Sequence, residues 1–148
     1  MRPIENMSVL ITGGGSGIGE GAARHFANQG ALVTITGRRS EPLQAVAAAI
    51  GERCHAVVGD VTVAADRTRM VAEAARFGGG LDGLISNAGN MYRCEVPDFE
   101  EDRLLEVFNT NVVGGMMLTK EAHPHLKASQ GCIVFVGSVH TQRAFPDA

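Results

Sequence analysis

Short runs of aliphatic and β-branched residues alternate along this chain with longer stretches whose apolar positions recur every three or four residues. The runs at 8–12, 31–36, 53–58, 81–86 and 132–137 predict five buried strands. Between them, the helical spacing of Ile18, Ala22, Ala23 and Phe26 predicts a helix over 17–29 with those residues inward and Gly30 as its stop signal. Ser40 as N-cap and Pro42 in the first turn introduce a second helix that ends at Gly51. A third is expected over 62–77 with Ala65, Met70, Val71 and Ala74 inward, and a fourth runs unbroken from about 100 to 123.

Strands alternating with helices through a whole chain mean repeated βαβ units, hence an α/β fold with a parallel sheet and helices on both faces. The right-handed crossover rule leaves few topologies, and the doubly wound, Rossmann-type sheet is the commonest of them for a nucleotide binder. A β/α barrel is disfavoured because it needs eight strands. The 148 residues, 45% hydrophobic and 20% charged, suit one core, and no linker, repeat or charge block divides them, so residues 1–148 are expected to be a single dinucleotide-binding domain.

Charge and cysteine usage narrow the partners. A net charge of -3 offers no basic field for a nucleic-acid backbone. Cys54, Cys94 and Cys132 are odd in number, lie far apart and include no Cys-x-x-Cys pair, so they read as reduced thiols. The apolar runs fall far short of the roughly 20 residues that a membrane-spanning helix needs, and the first residues lack the apolar stretch of a signal peptide. A cytoplasmic protein is expected.

Glycine is the outlier at 19 residues, clustered between apolar runs. The densest cluster, Thr12-Gly13-Gly14-Gly15-Ser16-Gly17-Ile18-Gly19, joins the first strand to the first helix. Glycines at 13, 17 and 19 let backbone pass close to a pyrophosphate, and the helix N-terminus behind them offers unpaired N–H groups and a partial positive charge. A P-loop is excluded because no Gly-Lys-Ser/Thr closes the motif. The strict Gly-x-Gly-x-x-Gly fingerprint is absent, whereas Thr-Gly-x-x-x-Gly-x-Gly fits at 12–19. That pattern, followed in order by Asp60-Val61, Asn87-Ala88-Gly89, Asn111 and Ser138, resembles the short-chain dehydrogenase/reductase family over nearly the whole chain.

The resemblance implies five strands in the order 3-2-1-4-5, with a nicotinamide cofactor over their carboxyl ends. It implies that Thr12, Gly13, Gly15, Ser16, Gly17, Ile18 and Gly19 contact the cofactor, that Asp60 meets the adenine ring with Val61 beside it, and that Asn87, Ala88 and Gly89 let the chain run next to the cofactor. Asp60 has a second reading as the start of a turn. Asn111 is a poor helix former inside a helix, for which a polar task such as holding water in a proton relay gives a reason. NAD sites commonly carry an acid at the end of the second strand, but Gly37 stands here, followed by Arg38 and Arg39. A guanidinium grips a 2′-phosphate with two parallel hydrogen bonds, so NADP is favoured over NAD.

Hydride transfer needs one proton exchanged with a carbonyl or alcohol substrate. In the family this falls to Ser, Tyr and Lys assisted by Asn, and Ser138 and Asn111 match two of the four. A Tyr-x-x-x-Lys motif is expected about a dozen residues beyond the Ser, and the sequence stops at Ala148. The only tyrosine, Tyr92, has no lysine four residues later. The expectation is therefore part of a longer NAD(P)-dependent oxidoreductase, inactive as this polypeptide, with a non-catalytic nucleotide-binding or self-association module as the alternative. The fifth strand is expected to be an open edge with Ile133, Val134 and Phe135 short of neighbours. Because the family pairs subunits through the helix at 100–123, a homo-oligomer is expected. His123-Pro124-His125, at the end of that helix with no acid or thiol close by, is assigned no metal. Met91, Tyr92, Arg93 and His140 are secondary candidates for the substrate pocket, each with a solvated-loop alternative.

Overall fold

Five strands, β1 (Ser8–Thr12), β2 (Leu32–Gly37), β3 (Cys54–Val58), β4 (Gly83–Ser86) and β5 (Cys132–Phe135), pair in parallel as one sheet ordered β3-β2-β1-β4-β5. They are seen in a computed structural model that describes residues 3–139. The chain winds outward from β1 to β3, then returns to the far side of β1 for β4 and β5. That reversal parts the connections leaving β1 and β4 and opens a crevice at their carboxyl ends, where ligands bind in open α/β sheets.

Every residue of β1 is buried, and its side chains alternate between two core layers. Val9 and Ile11 pack with Val33, Ile35, Leu43 and Ile85 beneath helices α1 (Gly17–Asn28) and α2 (Ser40–Ile50), whereas Leu10 packs with Val57, Met70, Leu84 and Leu118 beneath α3 (Ala64–Gly78) and α5 (Gly115–Ser129). Burial on both faces is the reason these strands read as continuous apolar runs.

Several expectations are corrected. Ser40 is the first residue of α2, and Arg39 holds the cap position. In α1, Ala23 is buried and Ala22 and Phe26 pack part-buried against the core as expected, with Gly19 and Ala27 buried beside them, whereas Ile18 is 68% exposed. In α3 the stripe is Arg67, Met70, Val71 and Ala74, and Ala65 is exposed. Met70, Val71 and Ala74 are inward as expected; Thr62 gives its amide and its hydroxyl to Asp60 Oδ1 at 2.9 and 2.8 Å in the turn before α3, which begins two residues later than expected. The single helix of 100–123 is instead α4 (Glu101–Phe108), a π-helical segment Asn109–Gly114, and α5, which continues through Pro124 to Ser129. Pro124 and Lys120 are both exposed, so the carbonyl that loses its helical donor faces water. His123 and His125 accordingly lie within a helix rather than at its end.

The exposed edge at β5 is as expected: Ile133, Val134 and Phe135 are open to solvent. No helix among the described residues is long and apolar enough to cross a membrane. His140 lies outside the described residues.

Candidate functional site

The turn leaving β1 is built on glycines for three different reasons. Gly13 (φ +68°) and Gly17 (φ +56°) hold left-handed backbone that side chains disfavour. At Gly13 a Cβ would also stand 2.8 Å from Asn87 Nδ2, and at Gly19 it would run into the Gly13 carbonyl. Gly14, which the sequence did not single out, allows no Cβ because Ile35 Cβ lies 2.5 Å away. Only at Gly17 would a Cβ enter open space. Gly13 and Gly19 thus make room for the protein itself, and Gly17 is held by its backbone conformation alone. Ser16 caps α1 in extended conformation without a side-chain capping bond, and Gly14 N donates to Thr36 O at 3.1 Å, seating the turn on β2.

Thr12 lies behind this turn, 1% exposed. Its Oγ1 accepts from the amides of Asn87 (2.9 Å) and Ala88 (2.8 Å), while Asn87 Nδ2 donates back to Thr12 O at 2.9 Å. The pair ties the end of β1 to the end of β4, so Thr12 positions the site rather than facing a ligand. Asn111, in the π-helical segment, is engaged in the same way. Its Oδ1 accepts from Asn90 N at 2.8 Å and its Nδ2 donates to Asn90 O at 2.9 Å, clamping the loop after β4. π-Helical turns concentrate at functional sites.

At the end of β3, Asp60 starts the turn into α3 through Thr62, as its turn reading expects, and it lines the crevice. Asp66 Oδ2 accepts from Asp60 N at 2.8 Å. That backbone bond first, and Arg69 second, hold the Asp66 carboxyl below the usual carboxylate range.

These turns enclose a cleft of about 310 Å³. Gly13, Gly15, Ser16, Arg38, Arg39, Asp60, Val61, Asn87, Ala88 and Gly89 line it; Thr12, Gly17, Ile18 and Gly19 do not. Sequence reasoning missed Thr36, Pro42, Leu43, Gly59 and Thr110, which complete the wall. The signal for Thr36 was its place at the carboxyl end of β2. Its hydroxyl is buried without a partner among the described residues, a polar atom left over for whatever fills the cleft. Arg38 and Arg39 are exposed at the rim, and no ion pair among the described residues engages them.

Ser138 follows β5 at the same end of the sheet. Tyr92, by contrast, is bound to its own loop: its hydroxyl donates to Asp98 O at 3.2 Å and accepts from Glu100 N at 3.3 Å. A hydrogen bond with Cys94, then burial, raise its pKa above the ordinary phenol value, which keeps the proton on. Among the described residues, no three His, Cys, Asp or Glu side chains gather as metal ligands.

A glycine turn on β1, an Asp-Val corner on β3 and an Asn-Ala-Gly turn on β4 around one cleft invite comparison with known proteins. The chain matches the short chain dehydrogenase family over residues 7–148. It belongs to that family. The 11-beta-hydroxysteroid dehydrogenase-like 4A of Arabidopsis thaliana is 42% identical over 139 residues, covering 88% of this chain and 45% of the relative. The cis-2,3-dihydrobiphenyl-2,3-diol dehydrogenase of a Pseudomonas species is 36% identical over 137 residues, covering 89% and 50%. A short chain dehydrogenase from Burkholderia cenocepacia, solved in complex with NADP, superposes with a TM-score of 0.91 at 32% identity, covering 99% of this chain and 61% of that one. A 3-ketoacyl-(acyl-carrier-protein) reductase from Brucella melitensis, solved with NADH, gives 0.91 at 33% identity, covering 97% and 62%. This short-chain dehydrogenase chain spans about half the length of the curated relatives it matches.

Proposed function

We propose that this chain is the dinucleotide-binding domain, residues 1–148, of an NAD(P)-dependent oxidoreductase that transfers hydride between nicotinamide and a carbonyl or alcohol substrate. The observation that carries the reading is the cleft itself: it combines the glycine turn at Gly13 and Gly15, the α1 N-terminus behind Ser16, the unpartnered Thr36 hydroxyl and the Asp60-Val61 corner. A pyrophosphate suits the helix N-terminus, and an adenosine suits the space between Arg38 and Asp60. The cofactor supplies the hydride. The chain's part is to bind and orient it, with Ser138 as the hydrogen-bonding partner of the substrate oxygen and Asn111 holding the proton path in place.

NADP is favoured over NAD because Arg38 and Arg39 border the cleft directly after β2, where an acid would repel a 2′-phosphate. The relatives solved with NADP and with NADH leave both cofactors within the family. Titration calorimetry with NADPH and NADH tests the reading. NADPH is expected to bind tighter, and Arg38→Asp to weaken NADPH by about 10–100-fold, the worth of a charge-assisted pair, while sparing NADH. Binding of neither nucleotide by the folded chain would overturn the proposal.

Cytoplasmic location and homo-oligomerisation belong to the same proposal. The exposed apolar face of Leu104, Leu105, Phe108, Val112 and Met116 supports association of subunits.

A further inference from the structure

The corner of the cleft at Asp60-Val61 is gripped from behind by two successive residues of α3 with opposite polarity. Asp66 accepts the amide hydrogen of Asp60 at 2.8 Å, and Arg67 Nη1 donates to the carbonyl of Val61 at 2.7 Å. Neither side chain lines the cleft. Arg67 is 7% exposed, on the inward stripe with Met70, Val71 and Ala74. Among the described residues it joins no ion pair, and its Nε is buried without an acceptor. A guanidinium so placed is costly to bury, and an aliphatic residue of similar volume would fill the same space without that cost. The hydrogen bond from its guanidinium to Val61 O is therefore where its contribution lies.

The Val61 carbonyl that receives this bond is also a packing surface. Gly114 closes the π-helical segment against it: a Cβ at Gly114 would stand 2.9 Å from Val61 Cγ2 and 3.2 Å from Val61 O. The same segment carries Thr110, which forms part of the cleft wall, and Asn111. The orientation of one peptide group thus sets the spacing between two walls of the cleft, one on β3 and one on the π-helical segment.

We propose that Arg67, with Asp66, is a positioning residue for the adenine end of the cleft: together they fix the peptide groups on either side of Asp60-Val61, the second of them against Gly114. This rests on reading the cleft as a dinucleotide site. Arg67→Met keeps the bulk of the side chain and leaves the Val61 carbonyl unpaired. In the full chain it is expected to weaken NADPH and ADP-ribose by about tenfold, the worth of a hydrogen bond from a charged group. Asp66→Ala tests the other grip without disturbing the core, since Asp66 is only part-buried. About a fivefold loss is expected there, with Asp66→Asn, which can still accept from Asp60 N, restoring affinity to within about twofold.

Calorimetry with ADP-ribose and a melting curve of the ligand-free protein are to be recorded for each variant. A lowered melting temperature with ADP-ribose affinity within twofold of wild type would assign Arg67 to stability alone and overturn the inference. Should Arg67→Met fail to fold, the Asp66 pair decides: equal affinities for Asp66→Ala and Asp66→Asn overturn it, and recovery by Asn supports it. A wild-type chain that binds neither NADPH nor ADP-ribose overturns the dinucleotide reading itself, a result seen before any variant is made.

Discussion

Gly19 and Gly21 stand two positions apart in α1 and respond to a methyl group in opposite ways. At Gly19 the new carbon meets the Gly13 carbonyl, backbone that has nowhere to go, so Gly19→Ala should cost about 1–3 kcal/mol. At Gly21 it meets nothing, and Gly21→Ala should stabilise by about 0.5–1 kcal/mol through helix propensity. Urea unfolding of the two variants checks both signs. The sequence makes this octet stand out by spacing alone, yet spacing cannot tell which glycine serves a ligand and which serves the neighbouring turn. Cys54 and Cys132 differ by burial in the same way. Burial pushes the Cys54 thiol up to about 11, with Arg24 partly opposing it, whereas Cys132 is exposed. Iodoacetamide at pH 8 should label Cys132 and spare Cys54 in the folded protein, as peptide mass mapping would reveal. Asp66 carries a pH dependence of determinate sign. Its folded pKa lies below the unfolded value of about 3.9, so its contribution is present above that pH and fades as pH falls through the lowered value. Asp66→Asn should therefore flatten the acid limb of a stability–pH profile, and an unchanged limb would contradict this.

At the scale of elements, β1, β2 and β4 were legible because burial on both faces writes an unbroken apolar run, β5 kept such a run although its edge is exposed, and each strand was found within two residues of its expected ends. The helices were legible as stripes, apart from Ile18 of α1 and Ala65 of α3, which are exposed. The π-helical segment at Asn109–Gly114 was not legible. Asn111 within it pairs with the Asn90 backbone 21 residues away, a long-range contact that no local propensity encodes. Asn111→Ala removes both bonds and should cost about 1–3 kcal/mol. Hydrogen exchange should quicken at Asn90 and along the following loop while β1 and β2 stay protected. Protection unchanged at Asn90 would show that the clamp does not hold the loop.

For the whole molecule, the strand order and the position of the cleft followed from the alternation of elements and from five short motifs. Roles within the cleft did not, because Thr36, Pro42 and Thr110 reach it only once the sheet is assembled. The apolar face of α4 and the segment after it leads to a solution prediction. Phe108→Glu should shift an associating wild type toward monomer in sedimentation velocity, and a wild type already monomeric at tens of micromolar would refute association through this face. Sheet assembly also bears on how the molecule responds to its ligand. The Thr12 hydroxyl accepts from two amides 75 and 76 residues away in sequence, so this wall of the cleft forms only when the ends of β1 and β4 have come together. A nucleotide that binds there binds the native state alone, and it raises the unfolding free energy by about 2.7 kcal/mol when present at a hundred times its dissociation constant. Supply of cofactor would then set how much of this protein survives in a cell as well as how much of it is occupied.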